Sequence, residues 1–120
     1  MEATAPIAQL EITRLESERQ ATIEKLERLR LDLRSSAERT ADEADTDAYE
    51  RDKTLALAQT LERKLESLDH AIALVQKGVY GKCESCGDRI DPARLEILPQ
   101  ATLCLNCQRE LERKNRRNRY

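Results

Sequence analysis

A mainly α-helical protein is the fold this sequence predicts: a long antiparallel two-helix coiled-coil hairpin, followed by a small four-cysteine region and a C-terminal helix. Three observations point there. Of the 120 residues, 37% are charged and only 2% aromatic, with no Trp or Phe. Two long stretches repeat apolar residues at alternating three- and four-residue steps. All four cysteines fall in one short segment, "GKCESCGDRIDPARLEILPQATLCLNC", from Gly81 to Cys107. A compact globule of this length normally buries larger side chains, whereas a two-helix rod needs only a narrow apolar seam.

The first helical pattern runs from about Ile7 to Arg39. Pro6 suits a first helical turn, and Thr4 is a suitable cap ahead of it. Ile12, Leu15, Leu26, Leu29 and Leu33 form the seam, while Arg19 and Thr22 fall on it and weaken it. The remainder is mostly Glu, Arg, Lys and Gln, all good helix formers. The pattern returns after Asp47 with a cleaner seam of Ala58, Leu61, Leu65, Leu68, Ile72 and Val75, and stops at Gly78. Two helices of about 30 residues would each be about 45 Å long. Neither carries an apolar face wide enough for a large core, so they should pack seam against seam. The break from Ser35 to Thr46 is polar, and its Ser, Thr and Asp residues favour a turn over a continuous parallel dimer. A third helical run extends from Leu103 to Arg113, and the polar Asn115–Tyr120 should fray. The expected division is a hairpin over residues 1–77, with an acidic tip at 40–52, and a cysteine region with a basic helix over 78–120.

Net charge is −2, which by itself predicts neither nucleic-acid nor anionic-membrane binding. Its distribution is uneven: Asp42–Asp52 holds six acids and one arginine, and Arg109–Arg119 holds six bases and two acids. Ala3–Leu10 is too short and too polar for a signal peptide, and no stretch could span a bilayer. The expectation is a cytoplasmic protein, and in that compartment clustered cysteines favour metal over disulfides.

Cys83 and Cys86 make one Cys-x2-Cys pair, Cys104 and Cys107 another, with seventeen residues between the pairs. Two such pairs can supply the tetrahedral sulfur set that Zn2+ prefers. Gly81 and Gly87 flank the first pair and permit tight turns. Lys82, Arg89 and Arg94 can offset thiolate charge. Four sulfur ligands leave no open position, so one structural Zn2+ is expected, folding a segment poor in apolar residues. Two disulfides, a redox pair or an iron–sulfur cluster are the alternatives. A redox pair would want an alternating strand and helix pattern, which is absent here.

The acidic break "TADEADTDAYERD" spans Thr40–Asp52. Asp42 and Asp45, three apart, would share a helical face. With Asp47 and Ala48 beside them, they would present negative charge at the far end of the rod. Such a cluster could enter a basic groove or act near a Mg2+ ion held by another protein. The plain alternative is a solvated turn whose acids suit the start of the second helix.

"GVYGKCESCGDRIDPARLEILPQATLCLNC" strongly resembles the zinc-finger region of the DksA/TraR family. Gly78, Tyr80, Gly81, Cys83, Glu84, Cys86, Gly87, Ile90, Arg94, Leu95, Glu96 and Pro99 carry the likeness, completed by Cys104 and Cys107. The hairpin also suits the family, so the resemblance covers nearly the whole chain. It implies a protein without the longer N-terminal extension of full-length DksA. It further implies a bacterial transcription factor that binds RNA polymerase without a DNA operator, its coiled coil entering the secondary channel. Some members act with ppGpp in the stringent response. The family tip reads Asp-x-x-Asp-x-Ala. Asp42 and Asp45 match its acids, but Asp47 stands where alanine is expected and Ala48 follows. The resemblance implies that Arg94 and bases of the last helix are near the family's ppGpp contacts, without assigning the contacts to residues, and that Arg109, Arg113 and Lys114 meet the channel rim. A single-chain regulator binding one partner would work as a monomer.

Two other classes compete. Direct nucleic-acid binding by the cysteine region would be helped by the basic tail, but aromatics and a base-reading helix are lacking. A Gre-like transcript cleavage factor would also use an acidic hairpin tip, yet the Gre proteins lack such a finger. No nucleophile–base pair argues for an enzyme. His70, the only histidine, lies beside the seam and reads as a structural or surface residue.

Overall fold

In the computed structural model the described residues are 4–37 and 44–118, with side chains at 10–35 and 48–118. Four helices follow in order: α1 (Thr4–Ala37), α2 (Ala44–Gln76), α3 (Pro92–Ile97) and α4 (Leu105–Asn118). No strand occurs among the described residues beyond an isolated antiparallel bridge between Lys82 and Arg89. The molecule is elongated, 63 × 39 × 20 Å.

α1 and α2, of 34 and 33 residues, are rods about 50 Å long. They pack against each other and run antiparallel. Glu18 meets Lys64 at 3.5 Å, Arg19 meets Asp69 at 2.5 Å and Arg30 meets Glu62 at 3.6 Å. These pairs are half-exposed and set register more than stability. Stability comes from the seam. Leu15, Leu68, Ala71 and Val75 form its buried cluster, with Ile12, Ile72 and Tyr80 packed around them. Leu26 and Ala58 extend the buried seam outward. Beyond Leu26 on α1, and before Ala58 on α2, no described side chain is buried.

The expected seam is present, with additions. Thr22 is 2% exposed and resolves its buried hydroxyl by donating to the Glu18 carbonyl at 2.8 Å. Ala71 and Leu74 are also buried, although neither lies on the expected seam. Ala71 is one turn from both Leu68 and Val75, so its small side chain is covered by the same partners.

The boundaries differ from expectation in four places. α1 starts at Thr4, so this residue lies within the helix instead of capping it. α2 begins at Ala44, ahead of Asp47. α4 continues through Asn118 where fraying was expected from Asn115. Arg116 and Arg117 lie in its last turn, where cations complement the helix dipole. α3 was not foreseen.

α2 stops where glycine allows it to. Gly78 has φ 78°, a left-handed conformation that a side chain disfavours. Its N–H reaches the Val75 carbonyl at 3.0 Å and the Val79 N–H reaches Leu74 at 3.0 Å, the two bonds of a Schellman stop. α3 starts on a strong local signal. The Asp91 side chain accepts the Ala93 N–H at 3.0 Å and Pro92 occupies the first turn. Among the described residues, α1 and α2 are the only helices that pack on one another; α3 and α4 belong to the cysteine region.

Candidate metal centre

The first cysteine loop is a backbone turn. The Cys83 N–H donates to Asp88 O at 2.8 Å, and the Gly87 N–H returns to Cys83 O at 3.0 Å. Gly87, at φ 81°, supplies the reversal that brings Cys86 back beside Cys83. The Ile90 N–H to Gly81 O bond, 2.8 Å, closes the loop's base, where Ile90 is buried. The second pair sits at a helix start. Cys104 O accepts the Gln108 N–H at 2.9 Å, which places Cys104 just ahead of α4 and Cys107 in its first turn. A bond from the Glu84 N–H to Thr102 O at 2.9 Å joins the two halves.

Together these turns bring the sulfurs of Cys83, Cys86, Cys104 and Cys107 within 4.8 Å of one another. A tetrahedral zinc with sulfur about 2.3 Å away needs sulfurs about 3.8 Å apart. Cys86 and Cys104 already stand at 3.8 Å. None of the four is in a disulfide.

The electrostatics suit a cation. Burial works against the Cys83 thiolate, but the backbone N–H groups of Cys86, Cys104 and Ser85 and the Cys107 thiol stabilise it and bring its pKa down to about 6. The Asp88 N–H favours the Cys86 thiolate. Lost solvent and the sulfurs of Cys83, Cys107 and Cys104 outweigh it and push Cys86 up to about 12. Cys107 is raised by the crowding of Cys104 and Cys83. The Cys83 thiol is lowered while Cys86 and Cys107 are raised, a conflict that a divalent ion removes. The donor set fits a structural zinc, whose chemistry here is cross-linking: it would fasten the two loops together.

The centre is tied to the hairpin by contacts the sequence did not disclose. His70 on α2 pairs with Glu84 inside the first cysteine loop. Arg14 on α1 donates to the Glu96 carbonyl on α3. The Tyr80 ring packs on the hairpin core while its hydroxyl donates to Pro99 O at 2.8 Å. Burial, then Glu11, raises the Tyr80 pKa against the opposing pull of Arg14. His70 therefore has the structural role expected of it.

The remaining candidate residues are dispersed. Arg94 is half-buried and donates to Leu103 O at 3.4 Å, steadying the approach to the second cysteine pair. Arg109, Arg113 and Lys114 are exposed on α4, with Arg113 paired to Glu110 at 3.4 Å. Lys82 and Arg89 flank the first loop across their bridge. Asp42 lies outside the described residues. Asp45 and Asp47 fall in the first turn of α2, with side chains outside those described, and Ala48 is exposed. No helix of the described residues is long and apolar enough to cross a membrane.

Residues 78–113 match the family description "Prokaryotic dksA/traR C4-type zinc finger". The chain is 40% identical over 89 residues to a Caulobacter vibrioides protein named RNA polymerase-binding transcription factor DksA, covering 72% of this chain and 63% of that protein. A protein of the same name from Escherichia coli is 32% identical over 96 residues, covering 78% of this chain and 64% of that one. The chain thus spans just under two thirds of the length of these relatives. The solved structure of transcription factor DksA2 from Pseudomonas aeruginosa superposes with a TM-score of 0.78 and 25% identity, over 94% of this chain and 86% of that one. Residues 78–113 are thus a C4 zinc finger of the DksA/TraR type, and finger and hairpin together have the fold of DksA2: the chain is DksA-like in its finger and its fold.

Proposed function

We propose that this chain is a non-enzymatic transcription regulator that binds bacterial RNA polymerase through its secondary channel and modulates initiation without reading a DNA sequence. The observation that carries the reading is a four-thiol centre at the base of an antiparallel rod. Relatives with that finger are named RNA polymerase-binding transcription factors. Cys83, Cys86, Cys104 and Cys107 hold one zinc, and a closed sulfur shell gives it no catalytic position. The protein works as a cytoplasmic monomer.

Asp45, Asp47 and Ala48 open α2, whose 33 residues span about 50 Å toward the finger, and Asp42 precedes them in the sequence. The acids of the tip act at the polymerase centre. There the carboxylates bias basic or metal-bearing elements of the polymerase. The protein binds one state of the promoter complex better than another and shifts the population toward it. The exposed bases Arg109, Arg113 and Lys114 meet the rim and help encounter and register. A ppGpp effector would find anion-binding chemistry in a hollow of about 500 Å3 that both Arg94 and Arg109 line.

The test compares the native chain with Asp42→Asn plus Asp45→Asn in a pull-down on core RNA polymerase and in promoter-complex lifetime. Both forms are expected to bind, and only the native chain to change the lifetime. Failure of the native chain to bind polymerase, or tight binding to DNA alone, would overturn the reading.

A further inference from the structure

We infer that His70 is a positioning residue: its bond to Glu84 sets the angle at which the finger meets the rod, and that angle aims the tip. The aiming rests on the polymerase-binding reading; the setting of the angle rests on the joint alone.

The joint is thinly packed. The backbone crosses it once, leaving α2 at Gln76 and reaching Cys83 through Gly78 and Gly81, both at positive φ. A Cβ added at Gly78 would meet nothing within 4 Å, so no packing steadies the crossing there. Among the described residues, neither α3 nor α4 packs on α1 or α2. On the α1 side a hollow of about 380 Å3 lies between Glu11 and the finger residues Lys82, Arg89, Pro92 and Leu95. On the α2 side the hollow of about 500 Å3 lies between Ser67 and Arg94, Leu98 and Gln108.

Three side chains bridge this open joint. Tyr80 is the pivot: its ring packs on the hairpin core and its hydroxyl donates to Pro99 O at 2.8 Å. One ring fixes a point and leaves rotation about it. Arg14 from α1 donates to the Glu96 carbonyl of α3, and His70 from α2 donates through Nε2 to the Glu84 carboxylate. The two fastenings come from different helices and reach different parts of the finger, so together they oppose that rotation. His70 holds the charged acceptor, which makes its bond the stronger kind. A charged ring makes this bond, and so does a neutral ring with its proton on Nε2. Glu84 stands between Cys83 and Cys86, so the bond grips the loop that the metal would stiffen. Half-exposed pairs of this kind add little to folding stability. Losing one leaves the fold standing and loosens the angle, by a bias of up to about fivefold. Leverage makes that matter: a swing of about 10° at the base of a rod about 50 Å long carries its far end about 9 Å.

The experiment uses the full zinc-loaded chain. Nitroxide-bearing non-natural residues, which leave the cysteines to the metal, replace the exposed Gln59 on α2 and Ile97 on α3. Double electron–electron resonance is expected to give a narrow distance distribution for the native chain and a broader one for His70→Ala, with zinc content and unfolding midpoint unchanged. His70→Gln, whose amide keeps a donor at similar reach, is expected to restore the native width. With unlabelled protein, His70→Ala is expected to bind core RNA polymerase within about threefold of native and to lose up to about fivefold of the effect on promoter-complex lifetime. An unchanged distribution in His70→Ala, no recovery in His70→Gln, or loss of zinc in His70→Ala would overturn the positioning role. A broader distribution with a native lifetime effect would overturn the aiming. Absence of polymerase binding by the native chain, with the distances as expected, would overturn the polymerase reading and the aiming with it, and leave the brace standing.

Discussion

Replacing Leu68 by alanine tests whether the base of the rod is a packed core. Leu68 is 0% exposed and sits in one cluster with Leu15, Ala71 and Val75, edged by Ile12, Ile72 and Tyr80. Truncating a buried leucine costs about 2–5 kcal/mol, the sum of lost transfer energy and the cavity left behind. Two helices form a thin layer, and the half-buried edge residues can close part of the gap. The lower end, about 2–3 kcal/mol, is therefore expected. At about 1.4 kcal/mol per tenfold, the folding constant falls about 30- to 150-fold. Urea unfolding followed by far-ultraviolet circular dichroism on zinc-loaded protein should show the midpoint drop by about 1–2 M with an unchanged slope. Leu57, 50% exposed on the same helix, is the control, and Leu57→Ala should stay within about 0.5 kcal/mol of native. Equal effects at the two positions, or a cost below about 1 kcal/mol at Leu68, would refute a seam centred on that residue.

Gly78→Ala should cost about 1 kcal/mol, because a Cβ there meets nothing within 4 Å and only the left-handed backbone at φ 78° opposes it. Thermal unfolding would read the loss, and an unchanged midpoint would contradict the helix stop. Asp91→Ala removes the side chain that caps α3 and should cost about 1 kcal/mol in urea titration without releasing zinc; loss of the metal would show the cap to be part of the centre. Acid should release the zinc, because each thiolate ligand takes up a proton as the metal leaves. A coloured chelator should therefore capture more of it as pH falls, and capture that does not depend on pH would contradict ligation by four thiolates.

Much of the architecture was legible because its causes are local. Leu15, Leu26, Ala58, Leu68 and Val75 follow the helical period and are buried. The two cysteine pairs are spaced for one tetrahedral ion and converge as spaced. What escaped depends on partners distant in sequence, or on polar residues doing unexpected work. Thr22 looked like a flaw in the seam, yet its hydroxyl is satisfied within its own helix. α3 is too short for any period to register, although Asp91 and Pro92 mark its start. The reach of α4 was underestimated because a polar tail reads as fraying when the cations favoured at a helix end are overlooked. Neither the His70–Glu84 pair nor the Arg14–Glu96 bond can be read without knowing the angle at which the finger meets the rod.

The uneven burial along the hairpin gives it a graded stiffness. Its basal half is braced by Leu15, Leu68, Ala71 and Val75, whereas residues 27–35 and 48–57 contribute no fully covered side chain. Few interior contacts mean a small penalty for local opening. The hairpin is therefore firm where it meets the finger and more pliant over residues 27–35 and 48–57, so bending there leaves the braced base undisturbed.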